Sequence, residues 1–473
     1  MSPHAVLEPV SCKADADDFA AFGVSGNAFL PSSPPIDLLP DPYYQPWEQL
    51  AARLPALIQS STLRDEVQQL PLLHTDGLVS EPERRRAYSI LAFLAHGYIW
   101  GGSQPAEILP PSLAVPLLAV SKQIELPPVA TYAALNLWNY GTRSSAGDLD
   151  LDGLSAQRTF TGTVSESWFY MVSVAMEAEG RRMIPAVLRA LRAIRMRDEG
   201  ADGARAAYTA TTAAFEAVAA CVRQLSVLLA RMHEHCDPET FYHQIRPFLA
   251  GSLGMAHAGL PRGVFYDEGD GRGVWRQLRG GSNGQSSLIQ FVDIALGVQH
   301  ARGGHSSPHV ASATTTTDGV AADQQPSFHE EVRDYMPGPH RRFLEAVQHM
   351  GSLRTFALGN GGTEDVEDQE DSSDTIPRLQ RRCRAAYHDA VDAMTAMRDG
   401  HLQIVARYIV LPSRKPWTGA AENVNLASAS SRRSATDSTA GSDERLTGTG
   451  GTELMPFLRK SRDETVAART CSW

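Results

Sequence analysis

Met394-Thr-Ala-Met-Arg-Asp-Gly-His-Leu-Gln-Ile-Val-Ala-Arg-Tyr-Ile-Val-Leu-Pro412 is the stretch whose reading decides the fold. Met394, Met397, His401, Ile404, Val405 and Tyr408 recur at three- and four-residue steps, which predicts one apolar helix face. Pro412 lacks an amide donor and clashes with the preceding turn, so the helix is expected to end there. One imidazole, His401, thus points inward from a hydrophobic stripe. Two readings are open for it: a core histidine satisfied by a local hydrogen bond, or an axial ligand to a buried haem iron, where neutral imidazole supplies the fifth bond.

Around that stretch the composition is that of an ordinary soluble chain. It has 473 residues, enough for two domains, and a net charge of -11 that argues against nucleic-acid and anionic-membrane partners. Leu, Ala and Val are plentiful and strand-type alternation is scarce, so the expected class is all-α. Cys12, Cys221, Cys236, Cys383 and Cys471 are scattered with no CxxC pair, which speaks against a disulfide framework and a cysteine metal site. The Met-Ser-Pro-His start is neither a signal peptide nor a transit helix, and no apolar run looks long enough to span a membrane. A cytoplasmic location is expected.

The punctuation of the chain divides it further. Residues 1–40 read as an extended N-terminal arm, 41–162 as a small helical domain and 163–473 as a larger one. Segments 303–327, 359–374 and 417–444 read as low-complexity inserts. Leu50, Leu54 and Leu57 mark a helical stripe beginning at Trp47, and a second helix runs from about Glu81 through Trp100 to Gly101-Gly102. Phe169, Val172, Ser173 and Met176 share a face of a helix from Ser165 to about Glu179, which aims the Ser173 hydroxyl inward. Further helices are expected from Pro185 and from about Ala204 to His235. Asp237-Pro238 is a helix start, an N-cap carboxylate followed by proline. That helix carries Phe241, Ile245, Arg246, Phe248 and Leu249, and Pro247 should distort it.

Two glycine loops stand out. Gly280-Gly-Ser-Asn-Gly-Gln-Ser-Ser287 enters a helix at about Ser286, and glycines there let backbone approach a flat or anionic ligand closely. No Lys-Ser/Thr follows the last glycine, so a nucleotide phosphate loop fits poorly, and a ligand-facing wall or a plain turn fits better. Gly448-Thr-Gly-Gly-Thr452 is either a lid or a linker to a terminal helix. Arg398, one turn before His401, could pair with a ligand carboxylate or lie on the surface. Asp293 could be an acceptor behind the site or an ordinary surface group. His305 and His340 lack ligand-like spacing and are assigned no metal.

Several of these motifs, in this order, resemble the indoleamine 2,3-dioxygenase family. They are Gly280–Ser287 with Gln290 and Asp293, Met336–Leu344, His401–Val405 and Tyr408–Pro412, and Gly448–Thr452 with Leu454, Met455 and Phe457. On the N-terminal side they include Leu39–Tyr44, Ala114–Pro116 and Glu125–Pro128. The likeness spans nearly the whole chain apart from the arm and inserts, and the long inserts suggest a fungal-type member.

The resemblance implies an all-helical haem protein with a small N-terminal and a large haem-binding domain. It implies haem b as cofactor with His401 as the proximal iron ligand, Arg398 against a haem propionate and Asp293 near the proximal side. Phe169, Tyr170 and Ser173 match the distal wall, with Tyr170 one hydroxyl away from the family's usual phenylalanine. Phe241 and Arg246 match residues that pack on the indole and pair with the substrate carboxylate. Tyr132, Leu249, Gly281 and Ser282 match pocket positions, Ser282 also facing the cofactor, and Thr449 matches a closing loop. Leu135, Asn136 and Asn283 depart from the pattern of other members. The implied partners are L-tryptophan, dioxygen and an electron donor that keeps the iron ferrous, with the chain monomeric. The implied reaction is oxidative cleavage of the indole C2–C3 bond to N-formylkynurenine, with no side chain acting as acid or base. The alternative is a haem-binding paralogue with weak catalysis and a sensing role.

Overall fold

The computed structural model describes residues 21–143, 149–198, 200–301, 327–359, 375–415, 448 and 454–470. The three expected inserts fall almost wholly outside these residues, as does Thr449. The described residues are mainly helical and gather into two large hydrophobic cores and a small third cluster of Val405 with Leu454.

The first core gathers Trp47, Leu50 and Leu54 from short helices against the helix Glu81–Trp100, whose Tyr88, Leu91 and Phe93 are buried. That long helix starts and stops where its sequence says it should. Ser80 accepts from the Glu83 amide while the Glu83 side chain reaches back to the Ser80 amide, and Gly101 caps the far end. A buried charge cluster locks this region. Glu48 accepts from Arg86 Nε at 3.0 Å and Nη2 at 2.7 Å, from Arg158 Nη2 at 3.1 Å, and from the Leu39 amide at 3.0 Å. The core runs on through both Phe160 and Tyr170, across the 162–163 boundary.

The second core lies among three long helices, Val164–Arg195, Ala201–Ala230 and Ile376–Val405. Met183, Val187 and Leu191 meet Phe215, Val218, Val222 and Leu225, and these meet Tyr387, Val391 and Met394. Ala201–His235 is, among the described residues, long and apolar enough to cross a membrane, contrary to the expectation from the sequence. Half of its most apolar window is buried between neighbours, as in a core helix.

One further expectation needs correction. Pro185 starts no helix; it sits inside the 32-residue Val164–Arg195 helix. Its missing amide frees only the Arg181 carbonyl, and both residues lie on the exposed face, where water can take the lost bond. The end of the expected arm packs on the body: Phe29 is buried, 5.7 Å from the Phe343 ring and 6.4 Å from Phe291.

Strands are few and short. Val264–Gly269 pairs antiparallel with Arg272–Arg276, with Tyr266 opposite Val274, and parallel with Ile108–Leu109. Asp270 and Gly271, both at positive φ (55° and 71°), turn the hairpin. Tyr140–Thr142 pairs with Leu154–Ala156.

Candidate active site

The helix Ile376–Val405 carries His401 in its last turns and passes into a π turn, Ala406–Val410, before the short segment Leu411–Ser413. Pro412 therefore loosens the helix one turn early instead of stopping it, because it cannot donate to the carbonyl four residues back. The same device recurs before Pro247, where Phe241–Ile245 is a π turn between Pro238–Thr240 and Arg246–Leu249. A third π turn, Ala133–Leu137, follows Tyr132. The second contains Phe241 and precedes Arg246, the third follows Tyr132, and the first begins just over a turn after His401.

His401 is half-buried, and no described residue hydrogen-bonds to its ring. Burial, with a smaller push from Arg398, brings its pKa down to about 4. A neutral imidazole that no described residue hydrogen-bonds can offer a ring nitrogen to a haem iron. Its helix neighbours Ile404 and Val405 are apolar, and Tyr408 carries the stripe to the aromatic wall.

One turn back, Arg398 is buried. Its Nη2 lies 2.8 Å from both carboxylate oxygens of Asp293, and Nη1 donates to the Ser461 carbonyl at 2.7 Å and to Thr465 Oγ1. The two terminal nitrogens expected to meet a propionate are thus engaged by protein groups. Asp293 is pushed up by burial, but Arg398 and then His300 outweigh that and hold its pKa at about 2.

The aromatic wall is built from three elements. Phe169 on the Val164–Arg195 helix packs on Phe241 with ring centroids 4.8 Å apart, and Phe241 meets Tyr408 edge-on at 5.9 Å. Tyr408 is fixed by the Cys236 carbonyl at 2.8 Å and by His233, which stacks on it. Tyr170 stands behind this wall and not in it: it is fully buried, and its hydroxyl donates to Glu166 Oε1 at 2.9 Å. Arg246 is buried with its guanidinium 5.6 Å from the Tyr242 ring centre.

A hydroxyl cluster gathers around Glu177, two turns beyond Phe169 on the same helix. Tyr132 donates to Glu177 Oε1 at 3.0 Å, Ser286 donates to the same oxygen at 2.5 Å, and Ser173 is within hydrogen-bonding reach of Tyr132. Burial raises the Glu177 pKa to about 7, and Oε2 has no hydrogen-bond partner among the described residues. Gln285 holds the assembly from both ends, accepting from the Tyr132 amide at 2.9 Å and donating to the Gly280 carbonyl at 2.8 Å. His96 accepts from the Ala130 amide at 3.0 Å and lies 2.7 Å from the Phe248 carbonyl, which assigns its proton to Nδ1. It therefore ties the segment leading to Tyr132 to the one following Arg246.

The first glycine loop serves protein packing. A Cβ on Gly280 would sit 2.0 Å from the Leu249 carbonyl, and one on Gly281 would sit 2.4 Å from Leu135 Cδ1. Leu249 itself is buried. Ser282 is half-buried and caps the turn Asn283–Gln285 by accepting from the Gly284 amide at 3.2 Å. Sequence reasoning passed over Glu177, His96 and Gln285. Only Glu177 left a signal: it follows Phe169 and Ser173 at four-residue steps on one helix face.

A sequence model of the family described as indoleamine 2,3-dioxygenase matches residues 18–468. The chain belongs to the indoleamine 2,3-dioxygenase family. It is 38% identical over 461 residues to an indoleamine 2,3-dioxygenase of Penicillium citrinum, covering 96% of this chain and 88% of that one. With the indoleamine 2,3-dioxygenase of Saccharomyces cerevisiae it shares 37% over 457 residues, 93% and 91% of the two chains. A 6-hydroxytryptophan 2,3-dioxygenase of Fusarium equiseti is 35% identical over 444 residues, 94% and 96%. Indoleamine 2,3-dioxygenases are haem-dependent enzymes, and membership makes this chain a dioxygenase of tryptophan-type indoles.

Proposed function

We propose that this protein binds haem b through His401 and cleaves the C2–C3 bond of the L-tryptophan indole with dioxygen, giving N-formylkynurenine, the first step of the kynurenine route. The observation that carries the reading is His401: a neutral imidazole, unclaimed by any described hydrogen-bonding group, on a stripe that ends at Tyr408 of the aromatic wall. Ferrous haem supplies the chemistry that lets dioxygen react with a closed-shell indole.

The side chains then act by placement. Arg246 receives the substrate carboxylate, a charge-assisted pair strengthened by burial. Phe169 and Phe241 hold the indole ring and keep water away. Tyr132 and Ser173 bound the far end, where Glu177 accepts the Tyr132 proton in a hydrogen bond and fixes the ring's tilt. Ser282 and Gly281 line the near edge, and Thr449 closes from its loop. Arg398 and Asp293 set the height and angle of the helix bearing His401. An electron donor, a monomeric state, a cytoplasmic location and the small and large helical domains complete the reading.

A hydroxylated indole is a second substrate to test, because Asn136 Oδ1 beside Tyr132 is buried with no hydrogen-bond partner among the described residues. A ring hydroxyl would satisfy it. Turnover of L-tryptophan and of 6-hydroxytryptophan by reduced, haem-loaded protein is the test. Formation of N-formylkynurenine from L-tryptophan upholds the reading. Haem binding without turnover of either substrate would replace it with a weakly catalytic paralogue.

A further inference from the structure

A second cluster of metal-ligating side chains lies beneath Arg398, on the side of Asp293 turned toward the terminal helix Leu454–Ala467. The ligand atoms of Asp293, His300 and His329 all lie within 4.8 Å of one another. His300 Nε2 is 3.2 Å from Asp293 Oδ2, close to the roughly 3.4 Å edge between donors that share a tetrahedral zinc ion. The other ring nitrogen, Nδ1, is 2.6 Å from Glu464 Oε2, and Glu464 Oε1 accepts from the Ala301 amide at 3.0 Å. A metal-bound histidine is ordinarily oriented in this way, by its second N–H on a carboxylate.

His329 completes the set. Its ring stacks on His300 at 3.6 Å, with Nε2 3.3 Å from Ser461 Oγ and Phe457 beside it at 5.4 Å. Two imidazoles face to face cannot both be protonated without repulsion, whereas both can be neutral donors to one ion. The charges agree with this. Arg398 pairs with Asp293, while Glu464 has Lys460 Nζ only at 3.9 Å and faces the cluster.

We propose that Asp293, His300 and His329 form a binding site for one first-row divalent cation, with Glu464 orienting His300. Two imidazoles and a carboxylate select zinc, cobalt, nickel or copper over magnesium and calcium. Closure on the ion turns the His329 ring out of its stack. Bound there, the cation ties the segment after the Ser287–Leu296 helix, the Phe328–Glu331 helix and the terminal helix to the helix that carries His401. The site is separate from His401 and does not depend on the reaction proposed above.

The test uses haem-loaded full-length protein, stripped with a chelator and dialysed, then titrated with zinc chloride by calorimetry, with zinc and iron measured by mass spectrometry. We expect one saturable equivalent of zinc per chain in addition to iron. His300→Gln and His329→Gln each lose it, and Glu464→Gln weakens it by about tenfold or more. Exposed His74→Ala leaves it unchanged. Circular dichroism checks that each variant is folded. Absence of a saturable equivalent in the parent protein, or equal binding in folded His300→Gln and His329→Gln, overturns the proposal.

Discussion

Arg398 Nη2 lies 2.8 Å from each carboxylate oxygen of Asp293, and both residues are buried. The pair joins the His401 helix to the Ser287–Leu296 helix, and Arg398 Nη1 joins both to the terminal helix. Asp293→Ala leaves a buried guanidinium without its counter-charge, a loss of about 3–5 kcal/mol. Urea unfolding should show that loss. A change below about 1 kcal/mol, the range of an exposed pair, would mean that the ion pair does not hold these helices.

Glu177 makes stability depend on pH. Its folded pKa of about 7 lies above the ordinary 4.5, so the folded state keeps a proton that the unfolded chain releases. The contribution is therefore full below pH 4.5 and is lost as pH rises through 7, about 3 kcal/mol in all. Glu177→Gln cannot ionise, so its unfolding free energy should lack this fall between about pH 4.5 and 7. Parallel curves for the two proteins would show that Glu177 is ionised throughout.

His96 works with the opposite sign. Burial depresses its pKa to about 4 against an ordinary 6.5, the Phe248 carbonyl opposing, so the stability it supports is present above pH 6.5 and is lost as pH falls through 4. His96→Ala also orphans the Ala130 amide and the Phe248 carbonyl, at about 1–3 kcal/mol each. Because the two flank Tyr132 and Arg246, KM for the indole substrate should rise more than kcat falls. An unchanged KM in a folded variant would count against the bridge.

Gly280→Ala tests the backbone crossing beneath the pocket. The added methyl meets the Leu249 carbonyl at 2.0 Å and the Gly251 amide at 2.4 Å, both rigid backbone, so the segments after Arg246 and before Ser282 must part. A loss of several kcal/mol, on the order of 3 or more, is expected. Gly26→Ala, with nothing within 4 Å, should be neutral. Equal melting temperatures for the two variants would contradict the packing.

Elements governed by local chemistry were legible before the structure. The Glu81–Trp100 helix has its capping box and terminal glycine, Asp237 caps its helix by accepting from Thr240 at 2.7 Å, and Ser286 opens the next one. The stripe through His401 likewise announced an inward imidazole. Where tertiary context decides, the sequence was mute or misleading. Pro185 reads as a helix start but is tolerated inside a helix because it faces water. Asp270-Gly271 carries the signature of a tight hairpin, a small local signal lost among helical stretches. Arg398 and Asp293 look like surface charges until a distant helix, Leu454–Ala467, closes over them. The need for glycine at 280 and 281 was likewise hidden, because it comes from close contacts with Leu249 and Leu135, far away in sequence.

The central claim is that His401 is the axial donor to haem iron, and reconstitution of His401→Ala tests it most directly. The substitution removes no hydrogen bond to a described residue, so the variant should keep its helical circular dichroism. It should retain little haem and show no normal Soret band, with recovery when free imidazole is added. A folded His401→Ala protein with parental haem content and an unchanged Soret band would contradict the account.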